Sequence, residues 1–388
     1  MYEFGQEEVD AAVGVMSSKL MFRYMPGAVQ SASFEAELAA NMGSSHALAT
    51  SSGTAALICG LAALGVGPED EVLVPAYGYV ADLVAVLAVG ATPVVCEIDE
   101  RLGIDPEDAE AKVTNRTRAI MPVHMNGFSS NLEAVQRLAE RRALAVIEDA
   151  CQAIGGSYKG RRLGTWGDIG AYSFNYAKTI TAGEGGALVT NDRSLYDRAF
   201  IMHDCSCVYD GYRLASPNFS GLAFRMNEIS AAILRVQLGR LSAILDELRR
   251  TRGLLASVLR EAGIRELVPH DIVGNCGTHV GCVFDDPRVA TEFAGLVNAR
   301  CPAFTAFQGT SMGHSVFEWE LLHAGRGGHH PLRNPLSNPA RCPKPEDFPR
   351  TREILDGAVL VRFDLRTSEE AVRQLGAAAY DFLRATHR

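Results

Sequence analysis

The residues best placed to do chemistry lie in Ser173-Phe174-Asn175-Tyr176-Ala177-Lys178-Thr179-Ile180-Thr181-Ala182-Gly183-Glu184-Gly185-Gly186. The stretch reads as a strand end, a lysine on a tight turn, and a glycine run. A fixed amine that can lose its proton captures a carbonyl as a Schiff base; a surface-turn lysine is the plain structural alternative. A second segment bears on the choice. Val146-Ile147-Glu148-Asp149-Ala150-Cys151-Gln152 sets an acid directly after an apolar run, 29 residues before Lys178.

The elements that must position these groups follow from periodicity. A strand over His46–Thr50 runs into Ser51-Ser52-Gly53-Thr54-Ala55-Ala56-Leu57, a small-residue turn that opens a helix. The free N–H groups and partial positive charge of such a start suit a phosphate, although Ser and Thr are also ordinary caps. Residues 71–81 repeat the strand–turn–helix pattern and carry Tyr77-Gly78-Tyr79. Further strands are expected at 91–98, 118–124, 144–147 and 187–190, with helices at 80–89, 132–143 and 195–202. This alternation implies an α/β protein with a mostly parallel sheet flanked by helices. Ligands of such sheets gather at the carboxyl ends of the strands. Ser51–Thr54, Tyr77–Tyr79, Asp149–Gln152 and Ser173–Lys178 all fall there. Two more helices are expected near 5–21 and 33–42. A long helix from Asn227 to about Arg250, then another over 254–262, leads into a smaller α+β half. The division expected is a large domain over 1–250 and a small C-terminal domain over 251–388. The Gly-, His-, Pro- and Asn-rich region 303–345 reads as a solvated loop, with lining of an acceptor pocket by His314 and His329-His330-Pro331 as the alternative.

Composition narrows the class. A chain of 388 residues is too long for one ordinary core, and 47% hydrophobic residues with 37 glycines is globular. A net charge of −9 with no Lys/Arg run argues against a nucleic-acid face. Nine cysteines are scattered without paired CxxC spacing, so neither a metal site nor a disulfide framework is indicated, Cys205-Ser206-Cys207 being a weak exception. The acidic N-terminus carries no signal-peptide pattern, and no apolar run is long enough for a membrane span. The expected compartment is the cytoplasm.

A site for pyridoxal 5′-phosphate needs five things, and each has a candidate. Lys178 supplies the amine. Asp149 suits the pyridine nitrogen, because a carboxylate beside a buried cation keeps both charged. Gly53 and Thr54 at a helix start, with the Ser173 hydroxyl, offer a phosphate cradle. Tyr79 can stack on the ring, and Gln152 can reach its 3′-oxygen. Singly, each has an ordinary structural role open to it: Asp149 as a helix cap, Tyr79 as a core aromatic, Gln152 as a solvated helix residue. It is their joint order along one parallel sheet that favours the site.

The chain resembles the fold-type I, pyridoxal phosphate-dependent aminotransferases that act on keto sugars and cyclitols. The matching stretches are Ser51–Leu57 (SSGTAAL), Val74–Val80 (VPAYGYV), Ala91–Val95 (ATPVV), Met121–Gly127 (MPVHMNG), Glu148–Gln152 (EDACQ), Tyr158–Gly164 (YKGRRLG), Ser173–Asn191 (SFNYAKTITAGEGGALVTN) and Arg225–Ala232 (RMNEISAA). The likeness covers about residues 5–250 and thins beyond. MPVHMNG and TAGEGGA also resemble the aminohydroxybenzoate-forming branch. Charge and hydropathy, as above, argue against a nucleic-acid or membrane partner. The resemblance implies a homodimer with shared active sites. It implies Lys178 as Schiff-base residue and proton carrier, with Gly53, Thr54, Tyr79, Asp149, Gln152 and Ser173 around the cofactor. It implies L-glutamate or L-glutamine as amino donor and a keto sugar or cyclitol ketone as acceptor, in secondary-metabolite or surface-sugar biosynthesis. A lyase or aromatising dehydratase, and a non-catalytic regulatory protein of the same fold, are the alternatives. Lys178 argues against the family's dehydratase branch, which carries a histidine at that place. One departure stands out: where many members carry an Asn that reaches the partner subunit's phosphate, this chain has Ala223. Phe22-Arg23-Tyr24 could also meet the substrate, with Arg23 holding a carboxylate or phosphate.

Overall fold

The computed structural model describes residues 3–206, 214, 217–311, 313–328, 334–338 and 342–386. Two helices come first, α1 (Gln6–Ser18) and α2 (Gln30–Met42). Then strands and helices alternate: β1 (His46–Thr50), α3 (Gly53–Ala63), β2 (Glu71–Pro75), α4 (Ala81–Ala88), β3 (Thr92–Cys96), α5 (Pro106–Ala111), β4 (Thr117–Ile120), α6 (Leu132–Arg142) and β5 (Ala145–Asp149). A short hairpin of β6 (Ser157–Tyr158) and β7 (Arg161–Arg162) precedes β8 (Ile169–Ser173), β9 (Gly186–Thr190) and α7 (Arg193–His203).

The large sheet has the order β1-β9-β8-β5-β4-β2-β3. Neighbours from β8 through β5, β4, β2 and β3 run parallel, whereas β9 is antiparallel to both β8 and β1. β1 therefore points the same way as β8 and β5. The carboxyl ends of β1, β2, β5 and β8 share one edge of the sheet, where βαβ topology places ligands. Apolar residues of α3 and α7, including Leu57, Leu61 and Phe200, bury one face against Val72, Val74, Ile147 and Leu188.

The second half is carried by α8 (Glu228–Glu261), a helix of 34 residues and so about 50 Å long. Asn227 caps it, its side chain accepting from the Ser230 N–H at 2.9 Å. After it come β10 (Arg265–Leu267), β11 (His279–Val283), α9 (Pro287–Arg300), β12 (Thr305–Gln308), α10 (Glu320–His323), α11 (Pro349–Gly357), β13 (Ala358–Arg362) and α12 (Glu369–Thr386). The four strands form an antiparallel sheet in the order β10-β11-β13-β12.

Here the sequence reading needs correction. The two helices expected over 227–250 and 254–262 are one. Leu241, Leu248, Leu255 and Leu259 keep a single buried face across Arg249–Gly253, so the apolar register never breaks. That face joins one continuous core that includes Phe34 and Leu38 of α2 as well as Val280, Phe293 and Phe382 of the small sheet and its helices. The position 250 expected to divide the chain lies inside this helix.

Close packing at the functional edge depends on Gly186. In the register it pairs with Thr50 on one side and Ser173 on the other. A Cβ there would lie 2.2 Å from the Ser52 carbonyl carbon. Gly186→Ala is expected to lower stability by about 2–3 kcal/mol, as overpacking of a rigid backbone does. Urea unfolding midpoints of the two proteins check this.

Candidate active site

A cavity of about 490 Å³ opens at the shared strand edge. All seven residues singled out in the sequence line it: Gly53, Thr54, Tyr79, Asp149, Gln152, Ser173 and Lys178. Each arrives there by a local rule. Gly53 and Thr54 start α3, where Ser52 is the cap and its hydroxyl accepts from the Ala55 N–H at 3.1 Å. The N–H groups of Gly53 and Thr54 meet no acceptor among the described residues, which leaves two donors at the positive end of the helix. Ser173 is the last residue of β8, and its hydroxyl faces the same region.

Lys178 sits on the turn after β8, where its own N–H bonds to the Asn175 carbonyl at 2.9 Å. Its Nζ forms no ion pair or hydrogen bond among the described residues. Tyr79 lies just before α4, and its ring meets that of His314 edge-on with centroids 6.0 Å apart. His314 is brought in because the Gly78 N–H donates to the His314 carbonyl at 2.8 Å and Tyr77 bridges Ser315. Burial, and then the Lys178 charge, hold the His314 imidazole below its usual range. Of the residues once weighed as a solvated loop or a pocket wall, His314 therefore lines the cavity. His329, His330 and Pro331 lie outside the described residues.

Asp149 ends β5. Its carboxylate accepts from the Cys151 N–H at 2.7 Å, and its backbone is pinned on both sides by Pro122 and His124. The preceding residue turns the other way, as strand alternation requires. Glu148 is fully buried and accepts from the Gly164 N–H (2.8 Å), the Gly167 N–H (2.7 Å) and the His124 ring (3.0 Å). The Ser130 N–H donates to His124 Nδ1 at 3.2 Å, so Nδ1 is the acceptor and Nε2 the donor toward Glu148.

Gln152 is held by a residue the sequence reading passed over. The Asn126 N–H donates to its Oε1 at 3.0 Å, which leaves the Gln152 amide N–H groups for the cavity. Asn126 has φ of 57°, a left-handed conformation that Asn tolerates better than most residues. Its side chain donates to the Tyr77 hydroxyl at 2.9 Å, and its carbonyl accepts from Thr278 at 2.7 Å. Thr278, His279, Phe307 and Arg362 line the cavity from the small sheet and were also missed. Arg362 has no ion-pair partner among the described residues. Burial, and then Arg362, pull the His279 imidazole down to about 3, so that ring is neutral.

Arg23 is not part of this cavity. Its guanidinium makes a buried fork with Glu35 at 3.0 and 3.1 Å, so the expectation that it meets a substrate is withdrawn. Ala223 sits on a strand-like segment that bridges Asp204, and Asn227 is occupied as the cap of α8.

An amine and two helix-start N–H groups without partners among the described residues converge with a carboxylate and a held amide on one cavity at the ends of parallel strands, an arrangement that suits a pyridoxal phosphate-dependent aminotransferase of α/β class. The chain belongs to the DegT/DnrJ/EryC1/StrS aminotransferase family, whose model matches residues 4–281. It is 36% identical to 3-amino-5-hydroxybenzoate synthase of Amycolatopsis mediterranei, over 71% of this chain and 73% of that one. It is 40% identical to dTDP-3-amino-3,4,6-trideoxy-alpha-D-glucose transaminase of Streptomyces venezuelae, over 62% of each chain. It is 38% identical to L-glutamine:2-deoxy-scyllo-inosose aminotransferase of Streptomyces lividus, over 62% of this chain and 59% of that one. The crystal structure of 3-amino-5-hydroxybenzoic acid synthase superposes with a TM-score of 0.82 at 28% identity, covering 99% of this chain and 98% of that one.

Removing the Glu148 carboxylate would strand three buried donors. Glu148→Ala is expected to cost about 3–5 kcal/mol, read as a drop in the urea midpoint with an unchanged denaturant slope.

Proposed function

We propose that the enzyme moves an amino group from L-glutamate or L-glutamine to the ketone of a sugar or cyclitol, in secondary-metabolite or surface-sugar biosynthesis. The observation that carries this is the convergence of Lys178, Asp149, Gln152, Tyr79, Ser173 and the Gly53 and Thr54 amides on one cavity. The substrate class is supported by relatives named for a deoxy-sugar transaminase and a glutamine-dependent cyclitol aminotransferase.

When bound, pyridoxal phosphate supplies a carbonyl that takes up the donor amine and a ring that accepts the electrons released as the donor carbon loses its proton. The chain's residues do the rest. The free Gly53 and Thr54 N–H groups and the Ser173 hydroxyl hold the phosphate. The Asp149 carboxylate sits at the pyridine nitrogen and keeps it protonated. Gln152, fixed by Asn126, donates to the ring oxygen, and Tyr79 covers the ring face. Lys178 Nζ takes the proton from the donor carbon and returns it on the neighbouring side. Arg362, at the cavity wall and without an ion-pair partner among the described residues, holds the donor's α-carboxylate in a fork.

We further propose a homodimer with shared active sites, in which Ala223 contributes no side-chain contact to the partner's phosphate. A cytoplasmic setting is supported by the eight described cysteines, all of them free. Among the described residues no helix is long and apolar enough to cross a membrane.

Lys178→Ala is expected to abolish transamination and the absorbance of covalently held cofactor while leaving the fold intact. Turnover at the parent rate would overturn the assignment. Arg362→Ala should raise KM for the amino donor roughly tenfold to a hundredfold, the loss of a charge-assisted pair, with the KM for the keto acceptor little changed in steady-state kinetics.

A further inference from the structure

Next to Ala81, which lines the cavity, lies a second buried aspartate that the reaction scheme does not use. Asp82, in the first turn of α4, is 1% exposed, and neither of its carboxyl oxygens has a hydrogen-bond partner among the described residues. A site has been left for it: a Cβ on Gly78 would come within 2.5 Å of Asp82 Oδ2. The same Cβ would lie 3.7 Å from Val123 Cγ2, and Val123 bridges Asp149, so the start of α4 sets Asp82 beside the end of β5. The titratable groups that act on it are Asp149, the Cys151 thiol just beyond, and Lys178 from the turn after β8. Two carboxylates are acceptors only, so face to face they cannot bond unless one carries a proton. Burying both as anions is far costlier than sharing one proton.

We propose that Asp82 and Asp149 share a single proton, with Asp82 as the neutral partner that donates its O–H to Asp149. Asp82 is then a positioning residue. It fixes the orientation of the Asp149 carboxylate and leaves one negative charge, not two, for the pyridine nitrogen. The surroundings agree in direction: burial, and then the Asp149 charge, push the Asp82 carboxyl well above the usual carboxylate range, while Lys178 acts against them. This inference rests on the placement of Asp149 proposed above.

The sign of the pH effect follows. A carboxyl raised in the folded state binds its proton there after the unfolded chain has released it, so its contribution to stability declines as pH rises above about 4. Replacing it removes that decline. In cofactor-free protein, the folding equilibrium constant of Asp82→Asn relative to the parent should grow about tenfold per pH unit from pH 5 upward, until the shared proton leaves. A ratio flat with pH would overturn the proposal. Infrared spectra of parent protein labelled with ¹³C-aspartate give a test that needs no variant to fold. A protonated aspartate carboxyl band should persist at pH 7, and its absence would overturn the proposal.

Binding of pyridoxal phosphate then separates positioning from mere packing. Asp82→Asn keeps a donor toward Asp149 and should retain affinity near the parent's, whereas Asp82→Ala should weaken it about tenfold. Equal affinities for the two variants would sink the positioning role. If Asp149→Ala bound the cofactor as the parent does, the placement of Asp149 at the pyridine nitrogen would fail instead, and the infrared band would still report on the shared proton.

Discussion

The active site depends on a buried carboxyl group that does not line it. Glu148 sits at the end of β5 with no exposure and draws three donors inward: two glycine N–H groups from the 164–167 turn and the His124 ring. Because side chains alternate along a strand, anchoring Glu148 behind the sheet commits Asp149 to the cavity in front of it. The same interaction holds His124, whose backbone N–H grips the Asp149 carbonyl. Position and orientation of the acid are therefore properties of the protein's interior, where little moves. A surface loop could not deliver an acid to a cavity with that constancy.

Much of the site was legible because its parts obey short-range rules. Small residues after a strand mark a helix start with open N–H groups, and Ser51–Thr54 forms one at the cavity. An acid after an apolar run marks a strand end, and Asp149 lies at one. Since parallel topology gathers strand ends at one edge, reading each end separately was enough to place Gly53, Thr54, Tyr79, Asp149, Gln152, Ser173 and Lys178 around one cavity.

What stayed hidden came from long-range packing. Arg362 is the last residue of an ordinary apolar strand, and nothing local says that β13 ends at the cavity wall. Asn126 declares itself only through a left-handed backbone and a partner 26 residues away. Asp82 looks like any acid in a helix's first turn until Gly78 is seen to make room for it. Arg23 misled in the opposite direction: its partner, Glu35, turned an apparent ligand group into a buried structural fork. The break expected in α8 failed for a related reason. Arg249–Gly253 is polar and contains a glycine, but the leucines on either side stay in phase, and phase decides burial.

That unbroken helix works as a gauge. One rod packs into the core of the sheet that presents Lys178 and into the core of the sheet that presents Arg362. The span between the Lys178 amine and the Arg362 guanidinium, which line one cavity, is thereby written in helical turns. Whatever lies between those two groups meets a length set by one helix, so fit along that axis becomes a property of the rod. His314, which lines the same cavity, comes from a segment outside that rod.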